Sequence, residues 1–220
     1  MTLTYTEENY IKALFHLYEE SNCSVSTNSL ADYVKTKPAS VNDMVKRLSK
    51  KGLVEYEKYK GASLTASGQK IALAVIRKQR LWEVFLYEKL QFNWDELHEV
   101  AEQLEHIQSP LLTEKLEQFL NYPKVDPHGD PIPDEYGQVI LAPQTTLSGL
   151  PINKRAVLSS VRNTDPKLLQ FLDKRQIRLG LKFEVLEKEE FDGSIFLRFE
   201  NGEKTFLSKE IADSLMARTI

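Results

Sequence analysis

The sequence predicts a mainly α-helical chain with small β parts: an N-terminal winged helix-turn-helix, a helical middle and a C-terminal antiparallel β domain. Three patterns predict this class: helical spacing of apolar residues in the first 120 positions, a proline and glycine cluster after them, and alternating apolar runs near the C-terminus. The 220 residues, 41% of them hydrophobic, are enough to bury one or two cores. We expect three domains, over residues 1–70, 71–144 and 145–220.

The first three predicted helices form the helix-turn-helix. The first extends from Tyr5 to Glu20 behind a cap at Thr6. A short second helix follows the polar stretch Ser26 to Ser29 and stops before Pro38, because the residue before a proline avoids helical backbone angles. The third runs from about Ala39 to Lys51 and ends at a glycine.

A β-hairpin and three more helices follow in the sequence. The β-prone runs Leu53 to Glu57 and Ala62 to Thr65 flank a glycine turn and predict the hairpin, or wing. Helical patterns then extend to about Lys89, from Asp95 to about His106, and from Leu111 to about Leu120. The middle third is therefore expected to be helical.

The C-terminal part is separated from the helices by six prolines and glycines between positions 123 and 137. Beyond them, apolar and polar residues alternate in the runs Phe183 to Leu186, Ile195 to Phe199 and Lys204 to Leu207. Asp-Gly and Asn-Gly turns lie between these runs. The pattern predicts a small antiparallel β domain.

Charge is distributed unevenly along the chain, although its net value is only -3. From Lys35 to Arg80 there are twelve basic and three acidic residues, a balance of +9 that favours an anionic partner. From Leu81 to Tyr136 there are three basic and thirteen acidic residues, a balance of -10 that favours a cation. The stretch from Gly137 onward is nearly balanced.

Composition excludes several classes of protein. No run approaches the roughly 18 to 20 apolar residues of a membrane span, and the first residues lack the features of a secretion signal, so we expect a cytoplasmic protein without a membrane partner. A single cysteine, Cys23, excludes a disulfide framework and any zinc or iron–sulfur site with several cysteines. A bound metal ion would therefore have nitrogen and oxygen ligands.

The third helix, the turn before it and the wing carry the candidate DNA-binding residues. Polar side chains on such a helix reach base edges in the major groove, while lysines bind phosphate. A solvated lysine-rich helix pair is the alternative, but the order of cap, turn, helix and wing favours double-stranded DNA. The candidate positions are Lys35, Thr36, Lys37, Pro38, Ala39, Ser40, Asn42, Asp43, Lys46, Arg47, Lys58, Tyr59 and Lys60.

A segment rich in glutamate and histidine carries the candidate metal ligands. Its members are His98, Glu102, Glu105 and His106. Spacings of four, three and one residues place all four on one face of a helix. Glu83 and Gln79, one turn apart on the preceding helix, could complete a nitrogen and oxygen ligand set. The alternative is a solvent-facing acidic stripe, but two of the chain's four histidines fall in this segment.

Two other functions remain open at this point. One is a winged-helix regulator that responds to an organic ligand or to none. The other is a metallohydrolase, because His98-Glu99-x-x-Glu102 is one residue short of the His-Glu-x-x-His zinc motif. No glycine-rich phosphate loop and no nucleophile elbow occurs in the sequence. We therefore predict a protein that is not an enzyme and has no small organic substrate.

The winged helix, the run Glu102-x-x-Glu105-His106, the turn from Asp126 to Pro133 and the small β domain together resemble the diphtheria toxin repressor family. The resemblance covers essentially the whole chain. It implies a homodimer joined through the middle helices, a palindromic operator, and an SH3-like (FeoA-like) β-barrel domain from about Thr145 onward. It also implies a repressor of metal-ion homeostasis genes that metal activates.

The resemblance also implies two metal sites. The implied primary ligands are Asn9, Glu102, Glu105 and His106. The implied ancillary ligands are Gln79, Glu83 and His98. Three positions depart from the family: Asn9 replaces Met or Asp, Gln79 replaces a common histidine, and Lys12 replaces a second carboxylate of manganese-type members. One or two ions per subunit are therefore expected.

The residue at position 102 bears on the metal, because iron-type members have cysteine there and manganese-type members have glutamate. Glu102 implies Mn²⁺, which prefers hard oxygen ligands. Fe²⁺ is the alternative, because the C-terminal β domain is more typical of the iron-type branch.

Overall fold

A computed structural model describes residues 3–57, 60–140 and 142–220, which form two compact units. The first unit contains the described residues up to Gln79, together with 102–110 and 133–139. The second contains 80–101, 111–132 and the described residues from Ile140 onward. Among the described residues, no helix has both the length and the low charge that a membrane crossing requires.

The first unit is a winged helix-turn-helix, as predicted. Helices α1 (Tyr5–Ser21), α2 (Thr27–Tyr33) and α3 (Pro38–Lys50) are followed by strands β1 (Val54–Glu57) and β2 (Gly61–Leu64) and the start of α4 (Ala66–Leu90). The two strands pair antiparallel. Apolar residues with helical spacing form the core, and its fully buried members include Ile11, Leu14, Leu30, Val41 and Leu48.

The N-cap of α1 is Thr4, so the predicted cap at Thr6 is wrong. The Thr4 hydroxyl accepts a hydrogen bond from the Glu7 amide at 3.3 Å, and Glu7 Oε2 accepts one from the Thr4 amide at 3.0 Å. This reciprocal capping box needs a hydroxyl and a glutamate or glutamine three residues apart. Thr4 and Glu7 meet that requirement, whereas Thr6 is followed at the same spacing by Asn9.

Helices α5 (Leu97–Leu104) and α6 (Pro110–Phe119) complete the helical part. Helix α5 ends at Leu104, two residues before the predicted end. The expectation that Glu105 and His106 project from a helical face is therefore wrong, because both residues lie in the turn after the helix.

The second unit contains a six-stranded antiparallel sheet with the order β3-β8-β4-β5-β6-β7. Its strands are β3 (Thr145–Thr146), β4 (Arg155–Val161), β5 (Lys182–Lys188), β6 (Ile195–Phe199), β7 (Lys204–Leu207) and β8 (Leu215–Thr219). A 3-10 turn (Leu147–Gly149) and helices α7 (Pro166–Lys174) and α8 (Lys209–Ser214) connect them. The three predicted strands are present. The expected β-barrel differs in one minor respect, because the described strands form an open sheet whose edge strands are β3 and β7. The edge strand β3 pairs with β8 through only two residues.

The proline-rich turn lies directly against β4 within the second unit. The Val161 amide donates a hydrogen bond to the His128 carbonyl at 2.8 Å. Gly129 has a φ of +88°, and a Cβ at this position would lie 2.1 Å from the Ser159 carbonyl oxygen. Only glycine fits both the backbone conformation and the space. The sheet therefore fixes the conformation of the turn.

Candidate metal centres and DNA-binding surface

Most of the predicted DNA-binding residues are exposed, on α3, in the turn before it or at the wing. The exposed ones among the described residues are Lys35, Thr36, Lys37, Pro38, Ala39, Ser40, Asp43, Lys46, Arg47 and Lys60. Pro38 is the first helical residue, and the cap Lys37 makes no side-chain hydrogen bond to the helix. The first backbone amides of α3 therefore have no side-chain cap and lie close to lysines in the chain, an arrangement that attracts phosphate.

Asn42 differs from this exposed set, because it is half-buried and its side-chain oxygen is used inside the unit. Thr27 Oγ1 donates to Asn42 Oδ1 at 3.3 Å, and the Tyr56 hydroxyl donates to the same oxygen at 3.1 Å. Asn42 thus joins α3 to the start of α2 and to the wing. The predicted residues Lys58 and Tyr59 lie outside the described residues.

Helix α1 is joined to the C-terminal end of α3 by an ion pair. Lys51 Nζ donates to Glu7 Oε1 at 2.5 Å, and the Glu7 side chain is almost completely buried. Burial alone would raise the pKa of the Glu7 carboxyl, but hydrogen bonds from Lys51 and Thr4 outweigh it and the pKa is lowered. The position of α3 is therefore coupled to the position of α1.

Next to Glu7, α1 contributes to a polar cluster in the first unit, called the α1 cluster below. Its members are Glu8, Asn9, Lys12, Glu102, Glu105 and His106. Lys12 Nζ lies 2.7 Å from Glu105 Oε1, 3.3 Å from Glu102 Oε1 and 3.4 Å from Gln79 Oε1. The side chain of Lys12 is 7% exposed, that of Glu105 is 0% exposed and that of Glu102 is 43% exposed. The ammonium group thus contacts three oxygen atoms, in a site that is inaccessible to solvent at Glu105 and partly accessible at Glu102.

His106 is attached to α1 through Glu8. His106 Nδ1 lies 2.6 Å from Glu8 Oε2, and Gln108 Nε2 donates to the other Glu8 oxygen at 2.6 Å. With the proton on Nδ1, His106 Nε2 carries its lone pair 3.2 Å from Glu105 Oε1. Burial lowers the pKa of His106, although Glu8 opposes this shift. Burial thus favours the neutral imidazole, the form that a metal ligand needs.

Asn9 Oδ1 and His106 Nε2 in this unit are buried acceptor atoms with no hydrogen-bond partner among the described residues. Buried polar atoms are nearly always satisfied, because an unmade hydrogen bond costs roughly 1 to 3 kcal/mol. Asn9 lies between Glu8 and Lys12 on α1, and both of these residues contact the segment that contains Glu105 and His106. An amide oxygen and a neutral imidazole nitrogen are suitable ligands for a divalent cation.

A second cluster lies in the second unit. Glu83, Asp126 and His128 are buried, and one ligand atom from each lies within 4.8 Å of the others. Burial raises the pKa of the Asp126 carboxyl well above its usual value, and the Asp130 and Glu83 carboxylates add to the shift. Arg80 Nε, 3.5 Å from Asp126 Oδ2, opposes it.

The imidazole of His128 is held between the turn and the segment before α5. It stacks on Trp94 with ring centroids 5.7 Å apart, and Trp94 Nε1 donates to the Pro127 carbonyl at 2.9 Å. Burial lowers the pKa of His128, which favours the neutral ring. Carboxylates that disfavour joint ionisation, beside a neutral imidazole, form an arrangement that a cation would stabilise.

The predicted ancillary ligands are divided between the two units. His98 Nδ1 lies 3.5 Å from Glu83 Oε1, so these two predicted residues are neighbours in the second unit. Gln79 belongs to the first unit and contacts Lys12. The structure thus brings together Glu102, Glu105 and His106 near α1, and separately Glu83 with His98.

Sequence reasoning missed three residues of these clusters. Glu8, Asp126 and His128 are absent from the predicted ligand set, and the sequence indicates Asp126 only as the start of a turn. A signal was present, because Asp126-Pro127-His128 puts two ligand types into a glycine- and proline-rich turn. Burial of that turn against β4 is what makes these side chains a cluster, and local sequence does not report burial.

Comparison with known families identifies three matched regions. Residues 2–62 match the model of the iron dependent repressor N-terminal DNA binding domain, and residues 65–134 match its metal binding and dimerisation domain. Residues 145–219 match the FeoA domain. The three regions follow one another along the chain with short gaps.

Individual relatives carry the same descriptions. The iron-dependent repressor IdeR of Mycobacterium leprae is 31% identical over 128 residues, which are 58% of this chain and 55% of that protein. The chain thus spans about half the length of that curated relative. The diphtheria toxin repressor of Corynebacterium diphtheriae is 27% identical over 221 residues, which cover 96% of this chain and 95% of that protein.

Solved structures are similar over almost the entire chain. A manganese-dependent transcriptional repressor in complex with manganese has a TM-score of 0.89 and 31% identity, and the match covers 97% of this chain and 99% of that one. The manganese regulator SloR has a TM-score of 0.75 and 33% identity, with 97% and 98% covered. The chain therefore belongs to the iron- and manganese-dependent transcriptional repressors of the diphtheria toxin repressor family.

Proposed function

We propose that this chain is a transcriptional repressor that binds double-stranded DNA when a divalent metal ion occupies the cluster on α1, and that it is not an enzyme. The observation that carries the proposal is the pair of buried acceptors, Asn9 Oδ1 and His106 Nε2, in the same unit as the exposed basic face of α3. The protein would act in the cytoplasm as a homodimer, with domains over residues 1–70, 71–144 and 145–220.

The proposed ligands of the primary site are Asn9, Glu102, Glu105 and His106. Amide and carboxylate oxygens with a single imidazole are hard ligands, and Cys23 is an exposed thiol outside the cluster. Mn²⁺ is the preferred ion, with Fe²⁺ as the alternative, and the similar manganese-dependent repressor supports this choice. Bound there, the ion would supply a divalent positive charge shared by ligands from α1 and from the turn after α5.

The residues of the chain couple this site to DNA through α1. Asn9 and Glu8 lie on α1, while Glu105 and His106 lie in the turn after α5. Glu7, on the same helix, holds Lys51 at the end of α3. An arrangement of α1 that brings its ligands to the turn thus also sets the position of the DNA-binding helix. A metal ion that binds this arrangement of α1 more tightly than the alternatives shifts the population toward it.

A second ion is proposed at Glu83, Asp126 and His128, with His98 beside Glu83. This assignment replaces Gln79 of the expected ancillary set with two residues of the proline-rich turn. The sheet fixes this turn through Gly129 and the His128 carbonyl. The C-terminal domain would therefore support the second site.

The DNA-binding surface is proposed to read an operator through α3 in the major groove. Exposed Ser40, Lys46 and Arg47 would face base edges and phosphates, while the lysines of the preceding turn and the uncapped start of α3 would bind phosphate. A homodimer presents this surface twice around a two-fold axis, so the operator would be palindromic.

The test compares His106→Ala and Glu105→Ala with the control Glu190→Ala, an exposed glutamate of the β domain. DNA affinity is measured with and without Mn²⁺. We expect the two cluster variants to lose the metal-dependent increase, about 5- to 150-fold for a typical allosteric coupling, while the control keeps it. An unchanged response in the cluster variants would favour a regulator with an organic ligand or none. Loss of a hydrolytic activity without a DNA phenotype would favour a metallohydrolase.

A further inference from the structure

Lys12 is the basic residue that contacts the candidate ligands directly. Its ammonium group makes contacts of 2.7, 3.3 and 3.4 Å with Glu105, Glu102 and Gln79, which uses all three of its N–H donors. The side chain is 93% inaccessible to solvent, so the charge is held in a fixed place. Carboxylates that contact a buried ammonium group compensate its charge.

The cluster contains more negative charge than a single lysine offsets. Glu8, Glu102 and Glu105 supply three carboxylates. The same negative charge acts on half-buried Lys78. Burial lowers the pKa of Lys78, and the Glu8 and Glu105 carboxylates oppose this shift. Cations nearby stabilise the ionised form of carboxylates that lie close together.

Two cation positions can be distinguished by their ligands. The first is occupied by the Lys12 ammonium, among Gln79, Glu102 and Glu105. The second is marked by the two buried acceptors that Lys12 does not contact, Asn9 Oδ1 and His106 Nε2. Glu105 is common to both, because its Oε1 lies 2.7 Å from Lys12 Nζ and 3.2 Å from His106 Nε2.

We propose that the Lys12 ammonium is a covalently attached substitute for a second metal ion, so that the α1 cluster binds one divalent ion and Lys12 sets its affinity. This inference rests on the proposed metal site and specifies its stoichiometry. The ammonium holds α1 against Glu102 and Glu105 without metal. It also repels a divalent ion at the adjacent position, so more metal is needed than in a cluster without the lysine.

The test replaces Lys12 by glutamine, methionine or glutamate and measures Mn²⁺ binding by equilibrium dialysis with elemental analysis. Lys51→Gln is the matched control, because Lys51 also pairs with a buried glutamate of α1 but outside this cluster. We expect Lys12→Gln and Lys12→Met to bind the ion about tenfold tighter or more, since removing a unit charge beside a divalent ion has this effect even with water-like screening. Lys12→Glu should bind one additional ion per subunit. Lys51→Gln should bind Mn²⁺ as the wild type does.

Thermal unfolding separates this role from a purely structural one. Without metal, Lys12→Gln should unfold at a lower temperature than the wild type, because Glu102 and Glu105 lose their counterion. Saturating Mn²⁺ should reduce that difference or reverse it. An equal loss with and without metal would indicate a structural role and overturn the proposal.

The binding data distinguish failure of this inference from failure of the proposed function. If wild type binds an Mn²⁺ ion that His106→Ala does not bind, but Lys12→Gln and Lys12→Met bind it within twofold and Lys12→Glu binds no additional ion, the inference is wrong and the metal site stands. If neither wild type nor any Lys12 variant binds Mn²⁺, both proposals are wrong. Circular dichroism of each variant establishes that it is folded before binding is measured.

Discussion

Replacing Glu7 by glutamine tests the connection between α1 and α3. Glutamine keeps an oxygen acceptor for the Thr4 amide, because it also serves in a capping box, but it removes the charge that faces Lys51 Nζ at 2.5 Å. A hydrogen bond between charged groups contributes roughly 1.5 to 3 kcal/mol. The Lys51 side chain is 25% exposed, so water recovers part of this interaction. We expect the free energy of unfolding to fall by about 1 to 2 kcal/mol, and the midpoint by roughly 2 to 8 °C.

The pH dependence gives the sign of this effect. The pKa of Glu7 is lowered in the folded protein, because Lys51 and Thr4 outweigh burial. The stabilisation is therefore present above the unfolded-state pKa and is lost as pH falls through the lower folded-state pKa. The difference in stability between wild type and Glu7→Gln should thus be larger at pH 7 than at pH 3. Thermal unfolding monitored by circular dichroism at both pH values measures it.

DNA binding provides the functional assay for the same variant. At saturating Mn²⁺, Glu7→Gln should bind a specific duplex about fivefold or more weakly, while its Mn²⁺ affinity should stay within twofold of wild type. Lys51→Gln and the double variant complete a cycle that isolates the pair. Wild-type DNA affinity in a folded Glu7→Gln protein would refute the coupling through this ion pair.

Three further predictions concern the two metal clusters. Burial raises the pKa of Asp126, so wild type should lose stability as pH rises above the unfolded-state pKa of this carboxyl, whereas Asp126→Asn should retain it. Asp126→Asn should also lose Mn²⁺ at the second cluster. Thermal unfolding at several pH values measures the stability, and dialysis measures the Mn²⁺. Gly129→Ala should lower the free energy of unfolding in urea by about 2 to 5 kcal/mol, because its Cβ would meet the Ser159 carbonyl; an unchanged urea midpoint would contradict this. Because the pKa of His106 is lowered, the Mn²⁺ affinity of the α1 cluster should be constant from pH 7 to 8 and should fall only in acid. A fall in Mn²⁺ affinity with its midpoint above about pH 6.5 would contradict this prediction.

Periodicity and caps predicted the winged helix-turn-helix because its elements are determined by local contacts. The apolar faces of α1 and α3, the Ser26 cap and the glycine turn of the wing all act over a few residues. Elements with weaker local signals were not predicted, such as the short strand β8 and the helix α7 after Asp165. Their place depends on pairing with distant strands, since β8 pairs with both β3 and β4.

The candidate site was predictable in its residue types but not in its connections. The run Glu102-x-x-Glu105-His106 is visible in the sequence, as is the unusual lysine at position 12. The contact between Lys12 and Glu105 spans 93 positions, and that between Glu8 and His106 spans 98. Neither helical spacing nor charge balance specifies such pairings, because they depend on how α1 packs against the turn after α5.

The most direct test of a metal-activated repressor is DNA affinity as a function of metal. The chelator-treated protein and Mn²⁺ are first used to select a binding duplex from a random pool, and fluorescence anisotropy then measures the affinity for that duplex with added Mn²⁺, anaerobic Fe²⁺ or Zn²⁺. The account predicts an increase of about tenfold or more with Mn²⁺ or Fe²⁺, at metal concentrations that match the binding to the α1 cluster. An affinity that does not change with any of the three ions would contradict it.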